Sequence, residues 1–307
     1  MTTRNAMVLI KIEVTKGTDV VPAVADAIEL ETLELSPEMQ KMERKVYRAS
    51  FGNRLPITGS KSQTLGFSAR LRGSGTAGTA PKWARILGIG GFTITAGATV
   101  VMTLIPTGDT ASIYVYRNGK LHKLIGCAAS DLTITQDGNG FILAGSIKGK
   151  YVAVTDAAMP STPVYDTGVF YSGFAPSFTY DSEVPIVRAY VLNINGEMAE
   201  HVDLNDETGF SHFEITDVNP GGSITVEDET VAVYDWRGEA ELEQPASAQA
   251  LTWGFGTGAG NLVDLSAPSC SLGSPTEGDE GGIATLEMPY YIEALTPGAA
   301  LLTITTA

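Results

Sequence analysis

The chain has 307 residues, of which 43% are hydrophobic and 18% charged, and its formal net charge is −15. No run approaches the roughly 18 to 20 uninterrupted apolar residues that a membrane-spanning helix requires. The charge argues against sequence-independent binding to nucleic acid, which needs clustered Lys and Arg to neutralise phosphates. This length exceeds the size at which one core usually stops growing, so two medium domains are expected.

The charge is unevenly spread. Residues 1–160 carry 18 Lys and Arg against 12 Asp and Glu, about +6, whereas residues 161–307 carry 2 against 23, about −21. Opposite fields of this kind suit complementary surfaces; an acidic half kept only for solubility gives the same count.

The apolar start at residues 6–10 is cut short by Lys11 and Glu13 before it reaches the length of a signal-peptide core, so a protein made and kept in the cytosol is expected. Strands follow at about 28–36 and 64–72, the second with Leu65, Phe67, Ala69 and Leu71 on one face, the period-2 pattern of a half-buried antiparallel strand. Thr79 to Leu87 reads as a short helix, with Pro81 in its first turn and Gly88 as its stop. A cluster of strands over 98–154 includes a hairpin turning at Asn118-Gly119, further strands at 130–135 and 141–154, and a turn at 137–140 between those two. The segment from Met159 to Tyr180 is rich in proline and aromatic residues and coincides with the charge switch. It is expected to connect two domains, 1–160 and 181–307, and to pack across both, with 161–180 as the connector. Strands are expected again at 184–195, 208–216, 249–255, 260–266, 282–293 and 300–306, and a second short helix at 238–248. Both halves thus run strand, long loop, strand, short helix and strand cluster, an internal repeat carried by element order alone.

The glycines of Gly73-Ser-Gly75-Thr-Ala-Gly78 have the G-x-G-x-x-G spacing of a dinucleotide loop. The strand before them alternates, however, and no acidic residue lies between Glu43 and Asp109 to hold a ribose. They read as a link between a strand and a helix. The cluster from Gly254 to Asn261 lacks the Lys-Ser/Thr of a phosphate loop and reads as a flexible hairpin tip. His122, His201 and His212 have no metal-ligand spacing, and Glu227-Asp228-Glu229 and Glu277-Gly278-Asp279-Glu280 lack the alternation of a calcium loop, so solvated loops are expected there. Cys127 and Cys270 could form a disulfide but read better as two idle thiols. No catalytic group, cofactor or metal is called for by any motif, and the chain is not expected to be an enzyme.

Residues 36–61 join two expected strands over a length unusual for a hairpin loop. In them Lys41, Arg44, Lys45, Arg48, Arg54 and Lys61 are interleaved with Met39, Met42, Val46, Tyr47, Phe51 and Leu55. The apolar content is too high for comfortable disorder. A surface for an acidic partner is expected.

Several stretches resemble one family. The run from Arg4 to Asp19 (RNAMVLIKIEVTKGTD), MERKVYRASFG, LGFSARLRGSGTAGTAPKWARILG, GCAASDLTITQDGNGFILAGSIKGKYVAVTDAAMP and the later VEDETVAVYDW, LTWGFGTGAGNLVDLSAP and GIATLEMPYY are similar to major tail tube proteins of long, non-contractile-tailed (siphovirus-type) phages. The resemblance implies a mainly β fold: two tandem tail-tube-like β-sandwich or half-barrel domains, each with a short flanking helix, whose strands join neighbouring subunits in a ring around a lumen. A chain with two such halves implies a trimeric, pseudo-hexameric ring, with a hexamer as the alternative. It also implies stacking of rings through the N-terminal arm and the 36–61 loop, using Lys41, Arg44, Lys45, Tyr47, Arg48, Phe51 and Arg54. Implied partners are further copies of the chain, the tail terminator, tape measure and distal tail proteins, and phage DNA passing without specific binding; no membrane insertion is implied. The competing reading is a carbohydrate- or host-surface-binding β-sandwich that presents Trp253 or Tyr290-Tyr291 to glycans.

Overall fold

The structure is a computed structural model and describes residues 5–44, 46–47, 49, 54–105, 108–137, 140–172, 174, 177–241, 249–294 and 298–307. Its strands, in chain order, are β1 Ala6–Ile12, β2 Ala27–Ile28, β3 Thr32–Met42, β4 Ile57–Arg70, β5 Phe92–Ala96, β6 Val100–Leu104, β7 Ala111–Arg117, β8 Lys120–Asp137 and β9 Gly140–Tyr151. They continue with β10 Thr155–Asp156, β11 Ser177–Tyr180, β12 Val187–Val202, β13 Phe210–Glu227, β14 Gln249–Phe255, β15 Val263–Leu272, β16 Thr276–Glu280, β17 Ile283–Ile292 and β18 Thr303–Thr306. Two five-residue helices, α1 Ala84–Gly88 and α2 Trp236–Ala240, lie between β4 and β5 and between β13 and β14. The protein is therefore mainly β, an open sandwich rather than a closed barrel.

The two halves have the same strand order. In the first, neighbours run β1, β7, β8, β9, β4, β3; in the second they run β11, β14, β15, β17, β13, β12, and every pairing is antiparallel. Each half also places its helix at the same point in the chain, after the second strand of the long hairpin. The match extends to single residues. Ala111 stands opposite Cys127 beside a bulge that ends at Ile113, and Gln249 stands opposite Cys270 beside a bulge that ends at Leu251. Cys127 and Cys270 thus hold equivalent positions, 143 residues apart. Both are buried and free, and burial pushes both thiols up, Cys270 to about 12.

The halves share one core. Phe141 of β9 stacks on Phe255 of β14 at 3.9 Å and meets Trp253 edge-on at 4.7 Å, and Tyr190 of β12 lies 4.9 Å from Trp253. Each large side chain buried here contributes about 1.5–3 kcal/mol. The sheet crosses between halves twice: β12 pairs with β8 from Tyr190–Gln136 to Ile194–Leu132, and β18 pairs with β6 from Thr303–Thr103 to Thr306–Val100. The connecting segment joins in, since Asp166 accepts from the Lys82 amide at 2.7 Å and the Tyr171 hydroxyl donates to the Thr257 carbonyl at 2.9 Å.

Helix α1 is shorter than the span expected from sequence, but Trp83, Ile86 and Leu87 are buried on one side as its pattern required. Helix α2 starts at Trp236, where Asp235 caps it by accepting from the Gly238 amide at 2.9 Å, and the rest of the expected 238–248 helix lies mostly outside the described residues. The two glycine clusters meet each other. The Gly75 amide donates to the Gly260 carbonyl at 2.9 Å, and a Cβ on Gly73 would stand 2.1 Å from that same oxygen. The loop at 254–261 is therefore packed against the first half, a contact that alternation in sequence cannot reveal because it is made by backbone. Because the clashing atom is backbone, Gly73→Ala should cost about 1–3 kcal/mol. The chemical denaturation midpoint should fall accordingly, and an unchanged midpoint would contradict the close approach.

Candidate assembly interface

Residues 36–61 are not a loop throughout: 36–42 and 57–61 belong to strands. β3 and β4 pair from Thr32–Ser68 to Met42–Ile57, which leaves only 43–56 as the tip of a long hairpin. Sequence hid the extension of β3 beyond the strand expected at 28–36 because residues 37–42 are exposed, begin at Pro37 and lack the alternation of a half-buried strand; an edge strand tolerates both features. Cross-strand bonds stiffen it. Lys41 Nζ donates to Thr58 Oγ1 at 2.7 Å, Ser60 Oγ to Gln40 Oε1 at 3.0 Å, and Lys148 on β9 pairs with Glu38 at 3.2 Å. Exposed pairs of this kind contribute little each, about 0–1 kcal/mol, so they set direction more than stability.

Of the residues singled out from sequence, Lys41 lies on β3, and Arg44, Tyr47 and Arg54 lie in the tip, all exposed. Lys45, Arg48 and Phe51 lie outside the described residues. Met39, Met42, Val46, Leu55 and Ile57 add exposed apolar surface beside them. Basic residues thus stand beside exposed apolar ones at this end of the hairpin.

The second long hairpin, β12–β13, is already docked, on the first half of its own chain. Its outer strand β12 pairs with β8, and its distal part reaches the loop around Gly17 and the irregular stretch of β8 at Gly126, where a Cβ on Gly126 would come within 2.8 Å of His212 Cβ. Beneath it the buried Glu13 carboxylate accepts from Thr110 Oγ1 and Ser112 Oγ at 2.7 Å and from the Gly17 and Gly126 amides at 2.7 and 2.9 Å, fixing the surface that receives the hairpin. Two ion pairs cross the contact: Lys16–Glu214 at 2.5 Å and Lys150–Asp206. An acidic hairpin thus lies on the basic half. Neither Lys16 nor Lys150 stood out in the sequence, because each needs a partner far along the chain.

The pKa shifts follow this geometry. Burial works to raise Asp206, but the Lys150 ammonium and the Thr208 donors outweigh it and hold the carboxyl below its ordinary value. The hydrogen bond from Lys16 holds Glu214 low, and burial lowers His212, which stacks on His201 at 4.8 Å.

Among the described residues two strands with a single partner stand out beside the short β2, β5, β10 and β11, which also have one each. β3 pairs with β4 alone, and β16 with β17 alone. β16, the Thr-Glu-Gly-Asp-Glu stretch expected as a solvated loop, is a fully exposed strand; its composition is poor in β-forming residues, and its partner across the Gly281-Gly282 turn holds it extended. Among the described residues no cluster of His, Cys, Asp or Glu is arranged to hold a metal ion, and no helix is long and apolar enough to cross a membrane.

A model of the phage tail tube protein family matches residues 3–291, nearly the whole chain. Comparison with curated proteins gives no match.

Asp206→Asn should lower stability at neutral pH by removing the charge that Lys150 binds. Because the folded-state pKa is depressed, the advantage of the native carboxylate is present above the ordinary Asp value of about 3.9 and is lost as pH falls through the lower folded value. Denaturation curves of the two proteins should therefore converge in acid; a gap that persists there would show that the ion pair is not its source.

Proposed function

From its place in the phage tail tube protein family, to which the chain belongs, we propose that three copies close into a pseudo-hexameric ring. These rings stack into the tail tube of a long, non-contractile-tailed phage, the conduit through which the genome enters the host. The family makes the chain a structural component of the virion that assembles with itself into a tube. The observation that favours a trimer over a hexamer is the repeated strand order, since two tube-type lobes, 1–160 and 181–307 joined by 161–180, supply two of six quasi-equivalent positions per chain.

In this reading the far end of the β3–β4 hairpin, with Lys41, Arg44, Lys45, Tyr47, Arg48, Phe51 and Arg54, reaches the next ring together with the N-terminal arm. The acidic charge lets DNA pass a lumen without sticking. The tail terminator, tape measure and distal tail proteins meet the ends and interior of the tube, which is assembled in the cytoplasm of the host. A glycan-binding role finds less support: it needs Trp253 and the Tyr290-Tyr291 pair at the surface, whereas Trp253 is 2% exposed and Tyr290 1%, leaving only Tyr291 outward.

Replacing Arg44, Lys45 and Arg48 together by Glu should abolish tubes in negative-stain micrographs while the soluble protein keeps its β circular dichroism. Normal-length tubes from that variant would overturn the stacking role.

A further inference from the structure

The docked hairpin is a template for a contact that a single chain cannot complete. β8 corresponds to β15 and β16 taken together: both span 18 residues, Asp137 pairs with Gly140 and Glu280 with Ile283 at the closing turns, and the cysteines agree in offset. The hairpins correspond as well. Arg70 faces Ile142 as Glu227 faces Thr285, so β3–β4 and β12–β13 are related by 157 residues. Within the chain, residues 190–194 of β12 pair with 136–132 of β8. The equivalent residues are 33–37 of β3 and 279–275 at β16, and each of these strands has a free side.

We propose that β3 of one copy pairs antiparallel with β16 of the next, in the register Leu33–Asp279, Glu34–Gly278, Leu35–Glu277 and Ser36–Thr276. This rests on the ring reading above and says which edges close the ring. Three features favour it. Thr133 Oγ1 donates to Asn193 Oδ1 at 3.1 Å inside the chain, and the equivalent positions, Thr276 and Ser36, again hold short polar side chains that can bond across the strands. Pro37 and Pro275, which cannot donate a ladder hydrogen bond, fall opposite one another at the end of the segment and bound it. The charges invert together: Lys150, which binds the acidic second hairpin, is replaced at its equivalent position by the exposed Glu293, while the first hairpin carries Lys41, Arg44 and Arg54. An acidic hairpin on a basic lobe inside the chain thus becomes a basic hairpin on an acidic lobe between chains.

The test uses the full chain carrying both Ser36→Cys and Thr276→Cys, assembled under reduction and then oxidised. Denaturing gels without reductant should show a closed three-chain species, reverting to monomer on reduction, with neither single substitution giving it. Tubes that form yet stay monomeric on the gel would overturn this register while leaving the ring reading standing. As a second measurement on the unsubstituted protein, hydrogen exchange should slow by at least tenfold at the amides of 33–36 and 276–279 on assembly, and unchanged exchange there in assembled tubes would overturn the pairing. Failure of the unsubstituted protein to assemble at all would take the ring reading with it.

Discussion

Every strand exposes two rows of backbone groups, and a row left without partners both forgoes hydrogen bonds and invites uncontrolled pairing. This chain satisfies that requirement unevenly. The outer strand of the second hairpin is covered by β8, whereas the outer strand of the first is bonded only to β4, and the strand that would be its counterpart, β16, is bonded only to β17. Short polar side chains, acidic residues and Pro37 blunt these two margins without covering them.

Packing and charge act at different scales around this constraint. The Phe141, Phe255, Trp253 and Tyr190 cluster lies where the two lobes meet, so the orientation of one lobe on the other is held by buried aromatic surface. The ion pairs Lys16–Glu214 and Lys150–Asp206 sit at the margin of that contact, where they select which hairpin may lie on which lobe rather than supply most of the stability. The +6 and −21 halves are then one device used once inside the chain.

Much of the architecture could be read from the residues. Leu65, Phe67, Ala69 and Leu71 alternate because β4 has one buried face, and Trp83, Ile86 and Leu87 share a side because α1 packs inward. The order of elements signalled the repeat even though almost no residues match. What stayed hidden depends on partners distant in sequence. The outer part of β3, beyond the strand expected at 28–36, and all of β16 lack alternation because neither has a buried face there, so both read as loops. Gly73 and Gly260 meet through backbone, which leaves no side-chain pattern to detect. At the site itself, the basic and apolar interleaving of the β3–β4 tip was visible, whereas Lys16, Lys150 and Glu13 gain meaning only once the second hairpin lies across them.

The central claim is that a neighbouring copy supplies the missing strand partners. Cryo-electron microscopy of the purified chain at high concentration, reconstructed without imposed symmetry, tests it most directly. The account predicts hollow rings of three chains with six similar lobes and a sheet continuous from each copy to the next. Dispersed monomers, or rings of six chains whose sheets stop at each subunit boundary, would contradict it.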